Sequence, residues 1–368
     1  MEATQEYTTS VGTEDVEVDP LQTKEFWIKV YALDTPKEFV LIFGIIFVLM
    51  ILCGNVWVII AVVRQPKLRE SATNIFIVSL SVSDILVGLV TVPQHVAVWG
   101  YFSSLHNVVL CKIVGYLQSC SLCGTTLSLI CIGADRYRAI VQPLRPRVTV
   151  EHAFIGCGIV WAISLLYSIG PLIFMGLNPK YSSPGNNTAI EYKCGVLYDQ
   201  IDLETYIRLI DLIVFYLIPL VVLVILYSIM ITTLWFGKSP TNSTTRSKKK
   251  ALKMLSFVVV QFMVTWAPYH CLQMYYKYSS DIPPIPLLYS TVPLNITFFI
   301  FCCNSWINPI LYAYFNENFR KEFVRLFPSF NTSTQVVPSA GTSQRSNTHN
   351  STKPNTLVSN VTSTPSNT

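Results

Sequence analysis

The sequence predicts an all-α membrane protein: a seven-transmembrane helix bundle followed by a short amphipathic helix on the inner membrane surface. Three observations predict it. Of the 368 residues, 51% are hydrophobic and only 13% charged, whereas an ordinary globular chain carries about 25% charged residues. Apolar runs recur at 38–63, 73–99, 109–137, 152–176, 205–236, 251–276 and 286–315, each long enough for a hydrocarbon core roughly 30 Å thick. Basic clusters at 64–69, 138–147, 238–253 and 320–325 alternate with loops poor in lysine and arginine. The positive-inside rule puts those clusters in the cytoplasm and the N-terminus outside.

Four parts follow in order. Residues 1–37 form an extracellular tail with eight acids against three lysines. They lack the basic start and apolar centre of a cleavable signal, so the first membrane helix is expected to direct insertion. Residues 38–315 form the bundle. Pro93, Pro171, Pro219, Pro268 and Pro309 fall inside its helices. Each removes a helical hydrogen bond, and the carbonyl it frees needs a partner from a neighbouring helix, a side chain or water. Residues 316–327 place apolar Phe319, Phe323, Leu326 and Phe327 among basic residues, the pattern of a helix lying on the inner surface. Residues 328–368 are rich in Ser, Thr, Asn and Pro, and are expected to be a disordered cytoplasmic tail.

The third segment, from Cys111 to Arg136, rises about 37 Å if it is one helix, so its ends lie at opposite membrane surfaces. Most of the ten cysteines fall within apolar segments, where cysteine acts as a small hydrophobe. Cys111 and Cys194 instead face the oxidising side and are expected to form a disulfide. The longest outer loop, 177–204, carries alternating residues at 189–197 that suit a hairpin, and a glycosylation sequon at Asn186. The run Lys248-Lys249-Lys250 reads as an orientation signal, so no nucleic-acid partner is expected. No internal repeat argues for a transporter, and no catalytic constellation argues for an enzyme.

The motifs narrow the class. Gly54-Asn55-Val56, Ser79-Leu-Ser-Val-Ser-Asp84, Asp135-Arg136-Tyr137 and Trp161 occur in order along the first four helices. Pro219 with Tyr227, Phe262-Met-Val-Thr-Trp266-Ala-Pro268 and Asn308-Pro309-Ile-Leu-Tyr312 complete the series. Together they resemble the rhodopsin-like (class A) G-protein-coupled receptors over about residues 40–327. The resemblance implies a plasma-membrane receptor that acts on a heterotrimeric G protein and is shut off by receptor kinases and arrestin through its Ser/Thr-rich tail.

It also implies residue roles. Asp84 is an ionisable group in mid-membrane that needs polar neighbours. Asn55, Thr125, Asn304, Ser305 and Asn308 are the candidates, either around a sodium ion as in the family or as a hydrogen-bond network without one. Asp135, Arg136 and Tyr137, with Tyr227 and Tyr312, stand for G-protein coupling, although Arg136 also suits a side chain snorkelling to the headgroups. Leu144 is either a plug into the G protein or an exposed leucine without a role. Pro219, Thr126, Phe262 and Trp266 occupy the family's switch. Two departures stand out. Thr126 replaces the usual isoleucine or valine, and Lys248 replaces the glutamate that clamps the helix-three arginine in many relatives, so appreciable basal activity is expected.

The resemblance bears on the ligand as well. Cys302 stands where opsins carry their retinal lysine, and neutral Gln118 where amine receptors carry an aspartate. Neither retinal nor a small biogenic amine is expected, and no other cofactor. The segments Thr73–Asp84 and Leu110–Gln118 resemble the orexin and neuropeptide FF receptors, and Trp266–His270 resembles these and the tachykinin receptors; all bind peptides, often amidated at the C-terminus. Gln118 can donate to and accept from such an amide, or bond only to neighbouring side chains or water. Tyr269, His270, Trp266 and Lys277 complete the expected ligand contacts. Acids at Glu191, Asp199, Asp202 and Glu204 could draw in a basic peptide. Lys277, however, stands where several RF- and RY-amide receptors carry an acid for the ligand's arginine. A receptor for a lipid or other non-amine small molecule is the alternative.

Overall fold

The computed structural model describes residues 35–99, 107–182, 189–236, 242–278 and 291–326. The acidic tail up to residue 34, the sequon at Asn186 and the Ser/Thr-rich tail lie outside them, as do the side chains of Glu191, Lys248 and Lys277. Seven helices are long and apolar enough to cross a membrane. They are α1 (Lys37–Arg64), α2 (Ala72–Val98), α3 (Val108–Val141), α4 (Val150–Phe174), α5 (Tyr198–Phe236), α6 (Leu252–Tyr276) and α7 (Thr291–Phe315). A further helix, α8 (Glu317–Leu326), follows α7.

Local chemistry sets several ends. The Asn107 side chain caps α3 by accepting from the backbone N–H groups of Val109 and Leu110 at 2.9 and 3.1 Å, and Thr149 caps α4 by accepting from that of His152. Both satisfy donors that a helix start leaves unpaired. Helical backbone extends past the apolar run of α6 to Asn242 on its inner side, and α5 begins several residues before its apolar run. Glu204, expected in the outer loop, is therefore a helical residue, buried and paired with Arg208. It is not a free steering charge.

The prolines are absorbed in specific ways. Short π-helical turns at Val87–Thr91 and Leu212–Leu217 precede Pro93 and Pro219, and such turns take up an extra residue where the ladder is broken. Two of the freed carbonyls, each four residues before its proline, are met by another helix. Thr126 Oγ1 donates to the Phe215 carbonyl at 3.2 Å, below Pro219. Asn55 Nδ2 donates to the Ser305 carbonyl at 2.9 Å, below Pro309. Asn55 was a candidate neighbour of Asp84; its Nδ2 is given to the Ser305 and Ile51 carbonyls, while its Oδ1 is buried without a protein partner.

Two glycines permit close helix contact. A Cβ on Gly54 would lie 3.0 Å from Pro309 Cγ, and one on Gly124 would lie 2.6 Å from Ser83 Oγ. These contacts seat α1 on α7 and α3 on α2. The Trp161 indole donates to Ser79 Oγ at 3.2 Å, and Ser79 meets Ser128 at 2.9 Å, joining α2, α3 and α4. Many apolar side chains on α1, α4 and α5 face outward, as they do in a bundle immersed in lipid.

On the outer side, β1 (Met175–Ser182) and β2 (Ala189–Val196) form an antiparallel hairpin with Leu177 opposite Cys194. The Cys111–Cys194 disulfide, with Cα atoms 5.6 Å apart, fixes β2 to the start of α3. On the inner side, α8 turns its aromatic stripe to protein rather than to lipid alone. Phe319 and Phe323 meet Trp57 edge-on at 5.9 and 5.5 Å, and Phe319 also meets Tyr312. Phe319 is fully buried.

Candidate functional site

A cavity of about 360 Å³ lies inside the bundle beneath the hairpin, a size suited to a small ligand or the end of a larger one. Helices α2 to α7 form its walls, α4 through Pro171 and Phe174, and Cys194, Gly195 and Val196 of β2 contribute at the top. Gln118, Trp266, Tyr269 and His270 all line it. The Gln118 side chain bonds to no other described residue; its backbone carbonyl accepts from Ser121 Oγ at 2.8 Å. His270 stacks on Tyr216 with ring centroids 5.3 Å apart, and its Nε2 is buried without a protein partner. Lys277 lies on the helical backbone that continues past α6 to Tyr278.

Sequence reading missed several groups in this cavity. His95 Nε2 meets Asn295 Oδ1 at 2.8 Å, and its ring stacks on Phe298 at 3.6 Å. Asn295 Nδ2 in turn donates to Thr35 Oγ1 at 3.2 Å, and the Thr35 N–H donates to Thr291 Oγ1. Glu204, Arg208 and Asp211 line the α5 wall. They recur at i, i+4 and i+7 and thus share one helix face. The Tyr167 hydroxyl donates to Asp211 Oδ1 at 2.6 Å.

The cavity floor reaches Thr125, Asn304 and Ser305. Just below, Asp84 is fully buried, bonded to Ser305 and to Asn308 Nδ2, the latter at 3.2 Å. Asp84 Oδ1, Thr125 Oγ1, Asn304 Oδ1 and Asn308 Oδ1 are buried without a protein hydrogen-bond partner. An all-oxygen donor set with one carboxylate fits a hard monovalent or divalent cation better than a transition metal.

Between floor and inner face runs an aromatic column. Trp266 lies 4.6 Å from Phe262 and 5.1 Å from Phe301 by ring centroids, and Tyr216 contacts Phe262 at 5.8 Å. The Tyr216 hydroxyl donates to the Met263 carbonyl at 3.0 Å, tying α5 to α6. Thr126, odd by its residue type, stands beside this column as the donor to Phe215. Isoleucine there could not make that bond.

At the inner end Arg136 is held rather than free. Thr73 bridges it to Asp135, accepting from the guanidinium and donating to the carboxylate, and Arg136 lies 3.7 Å from Asp135 directly. Tyr227 and Tyr312 are buried, and Tyr137 packs partly against the same core. Leu144 is almost completely exposed in the turn between α3 and α4. Exposure suits both its readings. Lys250 on α6 pairs with Glu317 on α8 at 2.9 Å, and that bond holds the Glu317 carboxyl below the ordinary glutamate range.

A seven-helix bundle with an outward cavity, a disulfide-tied hairpin over it and a half-buried arginine at the opposite face defines a transmembrane receptor. The profile described as "7 transmembrane receptor (rhodopsin family)" matches residues 54–312, and the chain belongs to that family. It is similar to neuropeptide FF receptor 2 of Rattus norvegicus, 30% identical over 81% of this chain and 75% of that receptor. It also resembles the RYamide receptor of Drosophila melanogaster, at 31% over 83% and 66%. The pyroglutamylated RF-amide peptide receptor of Mus musculus matches at 30% over 80% and 72%. Membership makes this a multi-pass protein of the plasma membrane.

Proposed function

We propose that this chain is a receptor for an extracellular neuropeptide that signals through heterotrimeric G proteins, and that it has no enzymatic activity. The observation that carries the reading is the outward cavity, whose Gln118 amide bonds to no other described residue, in a chain whose relatives are named as peptide receptors. The volume admits the terminal residues of a peptide, with the remainder left to the hairpin and outer surface. Gln118 has both a donor and an acceptor to offer a C-terminal carboxamide, whereas a free carboxylate would use only the donor.

A ligand that favours the active arrangement shifts the population toward it. The path runs from Gln118 through Trp266 and Phe262 to Arg136 and Tyr312. Leu144 enters the G protein, and Thr126 and Pro219 set the register of α5 against the column. Asp84, Thr125, Asn304, Ser305 and Asn308 hold a sodium ion that favours the resting state, since their partnerless oxygens suit one. Receptor kinases and arrestin act on the C-terminal tail. With Lys248 in place of an acid, ligand-free GTP turnover exceeds that of mock membranes.

The test is a second-messenger screen of paired peptides, each in amidated and free-acid form. The amidated member should be the more potent, and Gln118→Ala should lower its potency about tenfold, the scale of one lost buried hydrogen bond. Unchanged potency at normal surface expression would remove Gln118 from the contacts. Response to lipids alone would replace the peptide reading.

A further inference from the structure

Two acids and one arginine face the cavity from α5. Arg208 pairs directly with Glu204 at i,i+4, and its charge reaches Asp211 only at longer range. Asp211, one turn deeper, has no ion pair within 4.0 Å among the described residues; its bond is the one from the Tyr167 hydroxyl. A neutral phenol orients a carboxylate without cancelling its charge. The described cavity wall therefore carries one carboxylate more than it has guanidinium groups to match. Opposite, on α3, Gln118 is neutral, so a cation entering here finds its counter-charge on α5.

We propose that Asp211 is the anchor for a cationic side chain of the peptide, an arginine or lysine, and that Tyr167 is the residue positioning it. The inference rests on the peptide-receptor reading above and specifies which peptides the cavity prefers. A cation seated against Asp211 inside a low-dielectric cavity gains a charge-assisted hydrogen bond. With Gln118 available to a terminal amide, the cavity addresses a short unit of one basic side chain and one carboxamide. It also reconciles Lys277 with relatives named for RF-amide and RYamide peptides: the acid that meets the basic side chain lies on α5 in this chain instead of at the end of α6.

The experiment uses the full-length receptor in cells and sets of amidated hexapeptides identical except at the residue before the C-terminal one. That residue is arginine, lysine or citrulline, the last keeping the shape of arginine without its charge. In the wild type, arginine or lysine peptides should be at least tenfold more potent than citrulline ones. Asp211→Asn should lower the potency of the charged peptides to the citrulline level and leave the citrulline peptides unchanged. Tyr167→Phe should lower the charged peptides alone, by about two- to fivefold. Equal potency of citrulline and arginine in the wild type overturns the inference and leaves the peptide reading standing. So does an equal loss for both in Asp211→Asn at matched surface expression, which would make the role structural. Silence to every peptide, charged or not, overturns the peptide reading and this inference with it.

Discussion

The outer and inner ends of the bundle are closed by different kinds of bond. Outside, the hairpin is held to α3 covalently, through Cys111 and Cys194, and the space beneath it stays open. Inside, Arg136 is held by Thr73 and Asp135, and α6 by the surface pair of Lys250 with Glu317. A disulfide does not exchange during signalling, whereas hydrogen bonds and exposed ion pairs reform readily. The comparison teaches where movement costs least: the hydrogen bonds and exposed ion pair of the inner end can exchange partners, whereas the outer disulfide cannot.

The largest expected effect comes from breaking the outer closure. Cys194→Ser frees a cross-link between positions 83 residues apart, and losing such a bond costs about 2–5 kcal/mol. Surface staining and peptide binding should both fall by more than tenfold, and wild-type staining would show that the hairpin holds without it. Next comes the boundary between the two ends. Asp84→Asn should abolish any difference in ligand-free GTP turnover between sodium and potassium buffers, a difference expected at about fivefold in the wild type. A persisting difference in the variant would place the ion elsewhere.

A smaller effect is expected at Thr126. Thr126→Val removes the donor to the Phe215 carbonyl and should cost about 1 kcal/mol, read as a lower melting temperature in detergent, while Thr126→Ser should restore it. The smallest effect belongs to the inner surface pair. Glu317→Gln should raise ligand-free GTP turnover by no more than about twofold, since exposed pairs contribute little. The Glu317 carboxyl is held below its ordinary range, so the pair is present above that range and is lost only as pH falls through the lowered value. Turnover governed by this pair should be flat between about pH 6 and 8, where an ordinary glutamate is already ionised.

What the sequence made legible follows the same division. The seven spans, the hairpin and the disulfide could be read because length, alternation and sidedness are written along the chain. The buried node around Asp84 was legible because a carboxylate within an apolar run demands polar neighbours. Asp211 makes the same demand and went unread, because its meaning depends on the rotation of α5 about its axis and on Tyr167 from another helix. Glu204 was misread as a loop acid because α5 begins before its apolar run does. Thr126 was visible as a departure, yet its partner is a carbonyl released by Pro219, which no side-chain pattern records. Asn55 was visible as a candidate neighbour of Asp84, yet its donation to the carbonyl released by Pro309 went unread for the same reason.

The seating of α1 on α7 has a consequence for how the protein is made. Asn55 finds its acceptor at Ser305, and Gly54 its neighbour at Pro309, some 250 residues later. Within α1 the same amide also donates to the Ile51 carbonyl at 2.9 Å. Before the last membrane segment arrives, one of its two N–H groups thus has an acceptor and the other has not, and an unsatisfied polar group in lipid is costly. Assembly of this receptor is thus completed at its beginning. A chain that stops short of α7 leaves one Asn55 N–H and the Gly54 groove without the partners that α7 supplies.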